Sequence, residues 1–526
     1  MGGDDDRERA AQLREAAGDT ADPAGLARDL TSLSRNPDPE VRLAAVEGLW
    51  ELAQDAPTAV ADEVDAVVPL LRDEDDRVAR RSVSVLAIVG DADPELTKPI
   101  AEDLCLLLDD DRPGVSHNVV TALWPIAREY PDAVRPGVDG LRSHLDAIDG
   151  TTRLSTVAVF RALAAAHPGD CLPAVGDIMA RCIDRRRDVR VLSTAALGPL
   201  ATEFPGAVEP HGQQLCHCLH DDDPRIRQNA TAVVQQVVKS FPDVVRDEVE
   251  TVVELLDDEN AETRTSATNV LNVVADDRPA AVATHAPALV DALSDDDLRV
   301  ASNAALVLGT VAWTHPESLT AHTAAIASVL DRDEDCRHNG SYALGVVGRT
   351  YPELVADHLD GLAAAIDDDA TRVSRNGTWA VAIVAEGYPD PVRDHADTLH
   401  GAMGADDPAV RGNAAIALGL VGDPPPTAVD AVLTMLTSET ARHDVRLASV
   451  GLVELTTSDH TVTVDPLRPV SRLLAHDDPT VRANACTALG NLGTPTALDD
   501  LYDRQTDEEP EVRAAARAAI ERVRGH

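Results

Sequence analysis

The sequence predicts an all-α protein: a right-handed alpha-alpha superhelix of about fourteen helical hairpins stacked along residues 25–526. Three observations predict it. An apolar residue, usually followed by Arg and then by small residues, recurs at Val41, Val78, Val115, Thr152, Val189, Ile226, Thr263 and Val300, each 37 residues after the last. With small slips it continues at Cys336, Val373, Val410, Val445, Val481 and Val512. A proline keeps the same interval at Pro57, Pro94, Pro131, Pro168, Pro205, Pro242, Pro279, Pro316, Pro352 and Pro389, with one slip of a single residue. Seven positions before the second to eleventh markers stands a ladder of apolar side chains: Leu71, Leu108, Leu145, Cys182, Leu219, Leu256, Leu293, Val329, Ile366 and Met403. Signals that share one period of this length mark a repeat array. One hairpin cannot bury its apolar face, and stacked neighbours can.

Taken in order, residues 1–24 are an acidic N-terminal segment, expected to be partly disordered or a short helix. Each unit that follows reads as two helices. Around Ile226 the first carries Leu215 and Leu219, Asp221-Asp222-Asp223-Pro224 makes the turn, and the second runs to about Ser240. Ile226, Ala230, Val233, Val234 and Val237 share one face at helical spacing. Acidic residues at helix starts can cap backbone N–H groups and meet the positive end of the dipole. Proline cannot continue a helix interior, so the Phe241-Pro242 step closes the unit. The rhythm is interrupted around 423–427, at Pro424-Pro425-Pro426, and around 456–466. Residues 499–526, with Arg513, Arg517, Arg522 and Arg524, suit a C-terminal capping repeat.

Composition narrows the function. Only 2% of residues are aromatic, so the core is built from Ala, Val and Leu. There are 91 acids against 46 bases, a formal net charge of -45, and the only lysines are Lys98 and Lys239. Such a charge favours solubility, costs self-repulsion, and is tolerated where salt screens strongly. It argues against broad nucleic-acid binding, which needs clustered cations. No apolar run is long enough to span a membrane, and the acidic start lacks the apolar core of a secretory signal. A cytoplasmic protein is expected. Seven cysteines, an odd number in a long chain, do not suggest a disulfide framework.

Segments such as Asp38-Pro-Glu-Val-Arg-Leu-Ala-Ala-Val-Glu-Gly-Leu and Asp478-Pro-Thr-Val-Arg-Ala-Asn-Ala-Cys-Thr-Ala-Leu-Gly resemble the second-helix opening of the HEAT-repeat family. Ala417-Leu418-Gly419-Leu420-Val421-Gly422 and Ala488-Leu489-Gly490-Asn491-Leu492-Gly493 are similar to the HEAT-like repeats of phycobilisome lyases. The Asp-rich, Lys-poor composition resembles that of haloarchaeal cytosolic proteins, which implies a haloarchaeal, halophilic origin. The family resemblance implies a ladder in which turn Asp residues meet Arg42, Arg153, Arg190, Arg227, Arg264, Arg337, Arg411, Arg446, Arg482 and Arg513. It implies breaks at Ala79, Ser116, Ala301 and Ser374. It also implies that the second helices line the concave face.

Positions two, three, six and nine after each marker are expected to point away from the core. Across the first three of these slots only Glu47 is acidic, and many are Ala, Ser or Gly. Three units depart from that: His117, Asn118 and Trp124; His338, Asn339 and Tyr342; Arg375, Asn376 and Trp379. Exposed aromatic and Arg residues in a groove are typical binding anchors, so these nine are the candidate partner-binding residues. The recurring Asn can equally bond along the array as a structural ladder.

Cys216-His217-Cys218 superficially suggests a metal site, but side chains two apart on a helix point about 200° from one another. Core packing is the better reading. No His is followed directly by Glu, which removes the iron-holding His-Glu pairs of HEAT-like deoxyhypusine hydroxylase. No phosphate-binding glycine loop, nucleophile elbow or metalloprotease helix is present. The expectation is a non-enzymatic scaffold or adaptor, without a metal or cofactor, holding a protein or peptide. The alternatives are a lyase-like or nucleic-acid-modifying enzyme or enzyme subunit, and a purely structural spacer.

Overall fold

A computed structural model describes residues 2–112, 114–438, 445–457 and 462–525. Helices account for all of its regular secondary structure among these residues. They form two compact units, Met1–Thr251 and Val252–His526. Part of the irregular stretch expected around 456–466, residues 458–461, lies outside the described residues.

Every one of the fourteen markers falls on a long second helix. In the first unit these are Pro39–Asp55, Asp76–Ala92, Val115–Glu129, Gly150–Ala166, Arg187–Glu203 and Pro224–Val238. In the second they are Ala261–Asp277, Leu298–Ala312, Glu334–Gly348, Thr371–Gly387, Pro408–Leu420, Val445–Thr456, Pro479–Asn491 and Pro510–Gly525. Within each unit consecutive second helices pack side by side. The markers are buried except for Val445, which is partly covered. The apolar ladder seven residues earlier is buried too, save for a half-buried Met403. Burying one such leucine contributes about 2 kcal/mol.

The starts of the second helices follow the expected chemistry. Asp38, Asp75, Asp149, Asp223, Asp297, Asp333, Asp407 and Asp478 each accept a hydrogen bond from a first-turn N–H. Such a cap contributes about 1 kcal/mol. Helix ends are less simple than two helices per unit. The second helix stops two to four residues before the periodic proline, and that proline opens a short new helix at its first position, as at Pro57, Pro94 and Pro131. A proline there loses no intrahelical bond. A further proline five residues on, at Pro99, Pro136, Pro173 and Pro210, sits in the tighter winding of a 3₁₀ helix. The first helix of these units is therefore a chain of short pieces, while the second is continuous.

The two glycine-ended motifs explain the shortened units. Gly422 (φ 82°) and Gly493 (φ 61°) both adopt the left-handed conformation. There Asp423 N–H reaches back to Leu418 O at 2.9 Å, which closes the helix before the three prolines. At the N-terminus residues 2–15 form a helix that covers Pro39–Asp55. Arg7 bonds Asp38 at 2.6 Å and Arg14 meets Glu47 at 2.6 Å, while Ala10 is buried.

Arginine rungs join neighbouring units. Arg42 pairs with Asp73, Arg153 with Asp184, Arg190 with Asp221, Arg264 with Asp295 and Arg337 with Asp368, each 31 residues on and at 2.5–2.7 Å. The same guanidinium donates to carbonyls of its own turn, as Arg42 does to Asn36 O and Pro37 O at 3.0 Å. The expected breaks are repaired at three of four units. Where Ala79 replaces Arg, Arg112 reaches back to Asp73 O at 2.7 Å and Leu71 O at 3.2 Å. Where Ala301 does, Arg332 bonds Leu293 O at 2.6 Å and Asp295 O at 2.5 Å. Beside Ser374, Arg375 takes over the pair with Asp407. Arg446 bonds Glu386, 60 residues earlier, at 2.6 and 2.7 Å.

Candidate partner-binding site

In the second unit a glycine shelf sets the site. Gly309 and Gly345 occupy equivalent turns of consecutive second helices, nine residues after Val300 and Cys336. A Cβ on Gly309 would stand 2.8 Å from the Tyr342 ring, and one on Gly345 would stand 2.3 Å from the Trp379 ring. Each aromatic side chain thus lies on the glycine of the preceding unit. The rings of Tyr342 and Trp379 stack, centroids 6.2 Å apart and 22° between planes. The shelf also corrects the expectation that Trp379 faces outward. Its residue is only 2% exposed, so it forms the wall behind Tyr342 and offers no surface of its own.

The exposed aromatic is one the slot pattern passed over. Trp313, just past the helix Leu298–Ala312, is 46% exposed. Its Nε1–H donates to the Tyr342 hydroxyl at 2.5 Å, and the Arg349 guanidinium lies 4.0 Å over its ring centroid. Desolvation raises the Tyr342 hydroxyl above its ordinary pKa, against the opposing pull of the Trp313 bond. Trp313 and Arg349 both stand thirteen residues after their markers. Extending the slot series from nine to thirteen would have found them. With Ile383 and the Glu386–Arg446 pair they line a cleft of about 410 Å³. Arg446 comes from two units further on, which no local spacing announces.

The other candidates in this unit are held by the array. Asn376 is buried and donates to His338 O at 2.9 Å. Asn339 donates to Ser302 O and Oγ at 3.0 and 2.9 Å, and His338 Nδ1 lies 3.1 Å from Arg372 O. Arg375, expected as a groove anchor, is committed to Asp407. Further slots after the eleventh and twelfth markers, at Gly412, Asn413, Ile416, Leu447, Ala448 and Gly451, are buried instead of outward. The glycines let neighbours close in: a Cβ on Gly412 would meet Met435 Sδ at 2.5 Å, and one on Gly451 would meet Ile416 at 2.7 Å.

The third candidate group lies in the first unit. His117 is exposed, its ring edge-on to buried His144 at 6.0 Å; desolvation lowers the His144 pKa. Asn118 donates to Ser84 Oγ at 3.1 Å and Arg80 O at 3.3 Å. Trp124 is half-buried and lines a groove of about 520 Å³ with Arg128 and Arg161. Asn229, Asn303 and Asn484 bond the preceding unit in the same manner as Asn118 and Asn339.

Cys216 and Cys218 are buried and turn to different neighbours, Val244 O and Gln214 O respectively. Desolvation pushes the thiols of Cys171, Cys216, Cys336 and Cys486 up to about 12. At neutral pH they are packing groups, not nucleophiles. Among the described residues no three His, Cys, Asp or Glu gather as metal ligands, and no helix is long and apolar enough to cross a membrane.

The family described as HEAT repeats matches residues 27–124, 359–454 and 455–521. The chain is built of HEAT repeats. A second family, described as non-SMC mitotic condensation complex subunit 1, matches residues 188–294 of the array. Among solved structures, one from work on a phosphorylation switch controlling the interaction between cadherin and beta-catenin is similar at a TM-score of 0.65. It is 14% identical, with 95% of this chain and 99% of that chain covered. Another, of Kap95p binding RanGDP, reaches a TM-score of 0.49 at 13% identity, covering 95% of this chain and 74% of that one. No curated protein matches the sequence. The beta-catenin likeness establishes that the HEAT array shares an α-solenoid fold.

Proposed function

We propose that the protein is a non-enzymatic scaffold that holds a protein or peptide segment against its second helices. The observation that carries this reading is the cleft at Trp313. A tryptophan 46% exposed, backed by a stacked Tyr342–Trp379 wall and covered on one face by Arg349, is a large apolar surface kept open to solvent. Elsewhere the chain spends its few aromatic side chains sparingly, with 2% aromatic residues in all. Trp and Arg in a partly desolvated pocket are the residue types that dominate binding energy at protein interfaces. The similar solved structure named for the cadherin–beta-catenin interaction concerns a protein that binds another protein, and we extend that general role to this chain.

Of the nine candidate residues, Tyr342 holds Trp313 at the contact surface through its hydroxyl, and Trp379 supports Tyr342 from behind. His338, Asn339, Arg375 and Asn376 hold the neighbouring helices in register beneath it. His117, Asn118 and Trp124 belong to a separate surface on the first unit. A cytoplasmic location and an origin in a salt-accumulating cell are the settings that best suit a net charge of -45.

The test is quantitative affinity capture at high salt with wild type, Trp313→Ala and Arg349→Glu, each checked for folding by circular dichroism. Both side chains are exposed, so neither change should disturb the array. At least one partner held by wild type should be depleted about tenfold or more by both substitutions. Identical partner profiles for all three proteins would remove the cleft from the account.

A further inference from the structure

The first unit carries a groove of a different chemistry. The helices Val115–Glu129, Gly150–Ala166 and Arg187–Glu203 line a space of about 520 Å³. Its floor is apolar and shallow-walled: Trp124 and Pro199 face a run of small side chains that includes Ala162 and Ala195. Because those side chains end at Cβ, nothing fills the space beside the indole. Arg128 and Arg161 are the only charged residues in the lining, and no carboxylate joins them. Arg128 donates to the exposed Glu129 at 3.1 Å, and nearby Asp132 is held by His167 Nε2 at 2.5 Å. Arg161 is exposed and makes no hydrogen bond or ion pair among the described residues.

Arg161 brings a positive charge to the groove with no carboxylate in the lining to offset it. At about 0.15 M salt the Debye length is about 8 Å, so a ligand in the groove responds to its own lining more than to the charge of the whole chain. That lining combines an aromatic and aliphatic floor with an uncompensated guanidinium at the rim. Such a surface desolvates apolar side chains and pairs with a carboxylate. Sugar-phosphate backbones need several cations in a row, and here one of the two arginines is already shared with Glu129.

We propose that this groove docks an extended acidic polypeptide, which lays aliphatic side chains on Trp124 and the alanine floor and sets a carboxylate against Arg161. This rests on the scaffold reading but assigns a second surface and the chemistry of what it takes. The test uses the full-length chain and a short fluorescein-labelled peptide of alternating Glu and Leu pairs, read by fluorescence anisotropy at about 0.15 M salt. A peptide with Gln for Glu and a short oligothymidylate serve as competitors. Arg161→Glu should weaken the Glu/Leu peptide about tenfold or more, Trp124→Ala should weaken it as well, and Trp313→Ala should leave it unchanged. The Gln peptide should compete at least tenfold less well. Absence of binding, or binding indifferent to Arg161→Glu, overturns the proposal. Oligothymidylate binding more tightly than the peptide and lost in Arg161→Glu would make the groove a nucleic-acid site instead. Peptide binding lost only in Trp313→Ala would defeat this groove while leaving the scaffold reading standing.

Discussion

Single side chains decide what the array presents. Gly345 is the clearest case, since the Trp379 ring occupies the place where its Cβ would stand. Gly345→Ala is expected to destabilise the fold by about 1–3 kcal/mol through overpacking, measured by chemical denaturation. The same change in Gly198, where a Cβ meets nothing within 4 Å, should be stabilising or neutral. A second residue-scale prediction concerns Arg482 and Asp507, whose side chains are 7% and 4% exposed and bonded at 2.9 Å. The Arg482 guanidinium holds the Asp507 carboxyl below its ordinary range, against the opposing effect of burial. A depressed folded-state pKa adds stability that is complete above the unfolded value, about 3.9, and is lost as pH falls through the lower folded one. The stability gap between wild type and Asp507→Asn should therefore be constant above about pH 5 and shrink below about pH 4. A gap that stays constant into strong acid would contradict the pairing. Slots two, three and six were readable from the period, but their exposure was not. Whether Trp379 faces solvent depends on Gly345, a residue on a different helix, so the ring was expected outside and lies inside. Trp313 escapes the pattern for the converse reason: it stands thirteen residues after Val300, beyond the last outward slot at nine.

At the scale of helices and turns, the period predicted nearly all of what is seen. Val41 to Val512 mark fourteen second helices because an apolar first-turn residue, a following run of small side chains and, at eight of them, a capping Asp favour the same start. The first helices were less legible. Pro57 and its equivalents signal an end and a beginning at once, since proline suits the first turn of the next helix as well as it closes the last. The rungs between units were half legible. Arg at the slot after the marker pointed to the Asp pairs, whereas Arg112 and Arg332 act from the following turn and share no spacing with that slot. Arg332 donates to two carbonyls of the preceding turn, and hydrogen bonds from a charged group are strong. Arg332→Ala should cost about 1–3 kcal/mol despite its position in a loop, read as a shift in denaturation midpoint with unchanged slope. A loss no larger than that of an ordinary surface Arg would show that Ala301 leaves a true gap.

For the molecule as a whole, charge and surface set the expectations. With a net charge of -45 the folded state carries self-repulsion that salt screens, the Debye length falling from about 10 Å at 0.1 M to about 3 Å at 1 M. Thermal melts should rise by several degrees across that range; a flat or falling Tm would mean that the Arg–Asp rungs, and not repulsion, dominate the salt response. The central claim is that the cleft of Trp313, Arg349 and the Glu386–Arg446 pair holds a polypeptide. Hydrogen–deuterium exchange of the chain with and without a captured partner tests it most directly. Protection centred on Trp313, Arg349–Thr350 and Ile383–Glu386, absent when Trp313→Ala is used, is the predicted result. A partner that binds fully while exchange at all three stays unchanged would contradict it.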